Sequence, residues 1–303
     1  MPSTPTLPAA NLLLRAAGLR AAWPEGPSTC TEDDLRCEPA LGAVVLAEGR
    51  GAIGGQGRPA SKLVVWSVIG ELQACSNPDR RACLRASLER AGEAVRRLSG
   101  TWQPGLIKPF ATGAVLALEG AQALVGHLGN CRISLLRDGL LQPLTRDHAL
   151  VLGATASAPS GRVILTRAFG GSEPAEVTQI AVRPGDLFLL ATSTVHRLWS
   201  DTDLAASLSG AEDDLEAACA RLLAEVTRRA PSPGTASVCL ARVEVIAPGQ
   251  PAASSGASHR PPISWLFAPG APLPAVPVEH LGPDQRWFRE VFYSVMGEDN
   301  SCP

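Results

Sequence analysis

Residues Gly126 to His148 read GHLGNCRISLLRDGLLQPLTRDH, a dense run of side chains able to do chemistry. His148 has the form of a base that activates a nucleophile. Cys131 beside Arg132 has the makings of a reactive thiol, although a small buried residue on a strand is the better reading. Further on, His196 lies three residues after Ser193, which raises a serine–histidine pair. Neither a strained nucleophile elbow nor a placed acid accompanies that pair, and i, i+3 spacing is weak geometry for it. The glycine-rich GGQGRPASK suggests a phosphate loop but lacks the Gly-Lys-Ser/Thr that such a loop requires, and is rejected.

These residues need elements to hold them. LGAVVLAE, residues 41 to 48, reads as a strand that runs into a permissive glycine-rich loop. Two helices follow, one from Ser61 to Leu72 and one over RACLRASLERAGEAVRRLSG with a Gly100 stop. TGAVLALEG, QALVGHLGNCRISLLRDG and LLQPLTRDH form an antiparallel meander punctuated by Glu-Gly and Asp-Gly turns. AEVTQIAVRPGDLFLLATS adds two strands, DDLEAACARLLAEVTRRA an amphipathic helix, and TASVCLARVEVI a closing strand. Strands before and after paired helices indicate an α+β sandwich rather than a βαβ repeat.

The composition narrows the function classes. A net charge of −2 over 303 residues lacks the basic excess of a nucleic-acid binder, and no apolar run of membrane-spanning length exists. Arg15 and Arg20 interrupt the N-terminal apolar segment, so the expectation is a cytoplasmic protein with no membrane partner. The eight cysteines include no C-x-x-C pair and read mostly as small core residues in a chain too long to need disulfides.

Residues 247 to 262 contain 13 Ala, Pro, Ser or Gly among 16 and read as a linker. The segment 263–303 carries six of the 13 aromatics. In it GPDQRWFREVFYSVM can form a short helix, with Trp287, Val291 and Val295 at i, i+4, i+8 and Phe288 and Phe292 widening the face. Trp287, Phe288, Val291 and Phe292 are candidate anchors for a partner, against the alternative that the helix packs on its own domain.

From about residue 17 to 246 the chain resembles the metal-dependent protein serine/threonine phosphatases of the type 2C (PPM) class in their compact bacterial form. The resemblance rests on ordered segments: TEDD, AEGRGAIGGQGRPAS, HLGNCRISLLRDGLLQPLTRDH, VILTRAFG, VRPGDLFLLATST and GTASVCLARVEV. It implies a four-layer αββα sandwich of two antiparallel sheets flanked by helices. It also implies a pair of Mn²⁺ or Mg²⁺ ions held by aspartates, whose bridging water attacks a phosphoester. The implied organisation is an N-terminal extension (1–16), a phosphatase-like domain (17–246), the linker (247–262) and the aromatic segment (263–303).

At the positions matched to the family's ligands, the carboxylates are incomplete. Asp33 or Asp34 matches the first aspartate, and Glu48 with Gly49 stands for the Asp-Gly pair. Ser193 replaces the aspartate of Ser-Asp-Gly, and Gly234 that of Asp-Asn. Asn130 and Cys131 replace the Asp-Ser of the family's Gly-Asp-Ser-Arg, and Ser28 or Thr29 stands where the phosphate-holding Arg belongs. By the same resemblance His148 falls in a structural Asp-His turn, which favours a hydrogen-bonding role.

The expectation is therefore a pseudophosphatase with no catalytic residues, acting in signalling as a protein-binding or regulatory module. A phosphoprotein or a kinase-pathway component is the candidate partner. No cofactor is expected, with Mg²⁺ or Mn²⁺ the ion if any is retained. Asp33, Asp34, Glu48 and Gly49 form a vestigial metal site or else a solvated acidic cluster. The alternative is a divergent active phosphatase in which Asp201 or Asp203 supplies the missing ligands.

Overall fold

The computed structural model describes residues 12–23, 31–51, 57–100, 108–152, 162–211, 214–230 and 234–246. The linker and the aromatic segment, including Trp287, Phe288, Val291 and Phe292, lie outside the described residues, as do Ser28 and Thr29.

Twelve strands and five helices are assigned among the described residues: β1 (Leu12–Trp23), β2 (Asp33–Glu38), β3 (Ala43–Arg50), α1 (Arg58–Ala74), α2 (Arg80–Gly100), β4 (Phe110–Glu119), β5 (Gln122–Leu128), β6 (Arg132–Arg137), β7 (Leu140–Pro143), β8 (Ala149–Leu152), β9 (Arg162–Leu165), β10 (Glu176–Ala181), β11 (Leu187–Ala191), α3 (Ser193–Leu198), α4 (Asp201–Leu208), α5 (Leu215–Arg229) and β12 (Gly234–Val245). They build two five-stranded sheets, β1-β12-β11-β6-β7 and β10-β5-β4-β3-β2, with β8-β9 as a separate hairpin. Every pairing within the sheets is antiparallel.

Three apolar clusters define the layers. Val44, Leu46, Leu116, Ile133, Phe188 and Leu190 meet between the sheets. Val45, Val64, Leu84, Leu88, Val95 and Leu124 pack α1 and α2 on the second sheet. Leu189, Leu204, Leu222, Val226 and Leu240 pack the other helices on the first. Central strands covered on both faces must be apolar at consecutive positions rather than alternating. That is why β3 is buried from Ala43 to Gly49 and β11 along its whole length.

The sandwich expected from the sequence is thus present. Its first strand begins at Leu12, before the expected boundary at residue 17, because Leu12 to Trp23 pair along all of β12. The cysteine reading needs one correction. Cys75 and Cys83 form a disulfide across the α1–α2 connection, while Cys131, Cys219 and Cys239 are buried and free. The exposed loop brings the pair within bonding reach, with Cα atoms 6.0 Å apart.

Candidate functional site

The start of β2 and the end of β3 pair in register so that Asp33 lies opposite Glu48. Successive side chains of a strand alternate between faces. Asp33 therefore turns into the space between the sheets, and Asp34 turns outward. Of the two aspartates, Asp33 joins Glu48, and Asp34 pairs with Arg20 at 2.8 Å.

Asp33 is 1% exposed. Its Oδ2 accepts a hydrogen bond from Ser237 Oγ at 2.6 Å, and its Oδ1 is buried without a hydrogen-bond partner. Burial first, and the charge of Glu48 second, push its pKa up to about 7, against the opposing pull of Ser237, Arg50 and Arg20. Burial likewise raises Asp34, opposed by Arg20 and Lys62.

Glu48 is held on two sides. The Arg50 guanidinium donates to its Oε1 at 2.5 Å. Ser193 donates its hydroxyl to Oε1 at 3.2 Å and its backbone N–H to Oε2 at 3.4 Å. Arg50 also reaches Ser193 Oγ at 3.4 Å. Glu48 and Arg50 are two residues apart on β3 and so share a face. Alternation alone would have shown Arg50 beside the acidic pair, yet no role was assigned to it from the sequence. Ser237 was missed for a simpler reason, since nothing in its type marks it.

Other sequence-singled residues gather nearby. Cys131 Sγ lies 3.3 Å from Thr112 Oγ1, and burial with the Glu48 charge raises its pKa well above the ordinary thiol value, so it is not a reactive thiolate. Asn130 is buried with its Oδ1 unpaired. Gly234 opens β12 opposite Trp23 and brings no side chain to the site. Gly49 packs against Gly57 so closely that a Cβ on Gly49 would sit 2.1 Å from the Gly57 carbonyl oxygen.

The Ser193–His196 pair does not form. Ser193 is engaged by Glu48 and Arg50, whereas both His196 ring nitrogens are buried without partners, and burial lowers the His196 pKa to about 4. Asp201 and Asp203 occupy the first turn of α4, where Ser200 accepts the Asp203 N–H, and the charge of Asp201 acts on Arg132. Arg132 itself grips Asp147 through two bonds of 2.7 and 3.0 Å.

His148 has the hydrogen-bonding role. Its Nδ1 accepts the Gly129 N–H at 3.1 Å, its backbone N–H donates to the Gly129 carbonyl at 2.8 Å, and its Nε2 lies 3.0 Å from Glu176 Oε1. His127, His148 and Glu176 bring potential ligand atoms within 4.8 Å of one another. However, a neutral ring that accepts at Nδ1 carries its proton on Nε2, which leaves His148 no lone pair to offer a metal. His148 is thus tied to Gly129, while both His127 ring nitrogens are buried without hydrogen-bond partners.

The acidic site can be tested against a pair of divalent ions. Asp33 Oδ1, buried and unpaired, has the character of a ligand atom. The rest does not fit: Glu48 is already occupied by a cation and two donors, and positions 193 and 234 carry no carboxylate. Two carboxylates with one guanidinium give a formal charge of −1, far short of what two hard dications require.

No family model matches the chain, and no curated protein matches it. Solved structures do. The catalytic domain of serine/threonine protein phosphatase PstP in complex with two manganese ions aligns with a TM-score of 0.65 at 23% identity, over 77% of this chain and 100% of that one. PppA, described as a key regulatory component of T6SS in Pseudomonas aeruginosa, aligns at 0.63 with 29% identity, over 78% and 100%. The PPM Ser-Thr phosphatase MsPP from Mycobacterium smegmatis, in complex with cacodylate, aligns at 0.62 with 20% identity, over 76% and 98%. No helix among the described residues is long and apolar enough to cross a membrane.

Proposed function

We propose that this chain, which has the fold of the PPM-type serine/threonine phosphatases, is a pseudophosphatase that works as a protein-binding regulatory module. One observation carries the reading: the Arg50 guanidinium bonds both Glu48 and Ser193, two of the positions matched to the family's metal ligands. An internal cation there satisfies Glu48 and competes with any external one. Hydrolysis by metal-activated water needs an ion with open coordination positions. A guanidinium offers none, and it does not lower the pKa of a water as a dication does.

The remaining residues are arranged for rigidity. Thr192 Oγ1 accepts the Ser237 N–H at 2.9 Å, and the Ser237 carbonyl accepts the Thr192 N–H at 3.0 Å, which pins α3 to β12. Glu32 ties β3 to α1, accepting from the Gly49 and Gly57 N–H groups and from the Ser61 hydroxyl. The likeness to PppA supports a regulatory role, and a phosphoprotein or kinase-pathway component is the proposed partner.

A second reading, a divergent metal-dependent phosphatase, draws on the unpaired Asp33 Oδ1. Calorimetric titration of the full chain with Mn²⁺ and Mg²⁺, paired with hydrolysis of a phosphoserine peptide, separates the two. Silence in both assays supports the module. Two-site binding with turnover above a no-protein control establishes the enzyme.

A further inference from the structure

A cavity of about 500 Å³ opens at the side of the sandwich, where the edge strands β1 and β2 of the two sheets part beneath α1. It is distinct from the Asp33–Glu48 site: its lining comes from both faces of β2 and includes none of Asp33, Glu48, Arg50 and Ser193. Arg20, Arg36, Arg58 and Lys62 line it against Asp34 and Glu216, and with Glu38 paired to Arg36 just outside the lining the surplus is one positive charge.

These cations are fixed rather than waving in solvent. Arg20 is held by Asp34 and by the Asp33 carbonyl at 3.1 Å. The Arg36 guanidinium stacks 4.4 Å over the Trp66 ring and pairs with Glu38. Arg58, Lys62 and Trp66 follow at i, i+4, i+8 and so present one face of α1 to the cavity. Lys62 is 5% exposed, and Arg58 Nε is buried without a hydrogen-bond partner. Clustered cations, one of them almost fully buried and another with an unmet buried donor, are the chemistry that holds a phosphate-type anion. The volume exceeds what a bare anion needs and falls in the range of small-molecule sites. Leu35 and the Ala16–Gly18 segment give it an apolar end.

We propose that this cavity binds a small organic phosphate, its anionic group toward Arg58 and Lys62 and its organic part toward Leu35 and Gly18. The test is calorimetric titration of the full chain with adenosine monophosphate, glycerol 3-phosphate, inorganic phosphate, adenosine and a phosphoserine peptide. At least one of the two phosphomonoesters binds saturably and tighter than inorganic phosphate, and adenosine does not bind. Arg58→Gln weakens the phosphomonoester by about tenfold, the scale of one charge-assisted hydrogen bond, and raised salt weakens it further. Arg36→Gln serves as a second variant should Arg58→Gln fail to fold, as judged by circular dichroism. The proposal is overturned if neither phosphomonoester binds at millimolar concentration, or if inorganic phosphate binds equally well. Unchanged affinity in a folded variant also overturns it, as does preferential capture of the phosphoserine peptide.

Discussion

Glu48 and Arg50 sit two residues apart on one face of β3 with Oε1 and Nη2 separated by 2.5 Å, and the carboxylate end of this pair is 3% exposed. The Arg50 side chain is nearly half exposed, so solvent screens part of the attraction. What the pair controls is the state of a buried anion.

Removing the guanidinium leaves that anion with only the Ser193 donors. Arg50→Gln is therefore expected to lower unfolding stability by about 1–3 kcal/mol, the cost of stranding a buried charged group, read from urea midpoints. Ser193→Ala costs less, about 1 kcal/mol, since Arg50 stays in place.

Restoring the missing carboxylates tests the same site from the other side. The triple variant Ser193→Asp, Gly234→Asp, Arg50→Gln is expected to bind Mn²⁺ by calorimetry where the parent does not. Equal silence in parent and triple variant, with the variant folded, would show that more than ligand identity separates this site from a metal centre.

Asp33 gives a pH dependence of definite sign. Its folded pKa of about 7 lies above the ordinary carboxylate value of 3.8, so between those values the folded state holds more protons than the unfolded. Stability therefore falls as pH rises through that window, by about 1.4 kcal/mol for each unit of raised pKa fully realised. Asp33→Asn should flatten this fall and leave the protein more stable at pH 8, measured by denaturant titration across pH.

The buried histidines act in the opposite direction. His127 and His196 have folded pKa values of about 4, below the ordinary imidazole value of 6.5, chiefly through burial. Stability is lost as pH falls from 6.5 toward 4, and the His127 ring followed by NMR is expected to stay neutral through the ordinary histidine range and to titrate only as pH approaches 4.

Gly129 tests the scaffold alone. Its φ of 103° is left-handed, and a Cβ there would meet the Thr112 side chain at 2.3 Å. Gly129→Ala is expected to destabilise by about 2 kcal/mol or more, seen as a fall in Tm, without touching any carboxylate.

The sandwich was legible because burial on both faces writes continuous apolar strands such as β11, and because α5 places Leu215, Ala218, Leu222 and Val226 on one stripe. β1 escaped notice as a strand, since its two arginines read as interruptions; an edge strand tolerates them, and Arg15 pairs across the ladder with Glu244. The short helix α3 was likewise unseen, being too brief to show a period. At the site, losses at Ser193 and Gly234 could be counted from residue type, but which of Asp33 and Asp34 faces inward depends on strand register. The occupation of Glu48 by Arg50 depends on side-chain direction, which composition does not encode.

The Gly49–Gly57 contact joins the two candidate sites. Gly57 lies against the peptide that leads from Gly49 into Arg50, and Arg58 of the phosphate cavity is the next residue along the chain. A cavity ligand that shifted Gly57 would displace the Gly49–Arg50 peptide, and any coupling that arose in this way would act equally in both directions. A backbone contact that only two glycines permit thus sets the acidic pair and the wall of the cavity on one continuous stretch of packed backbone.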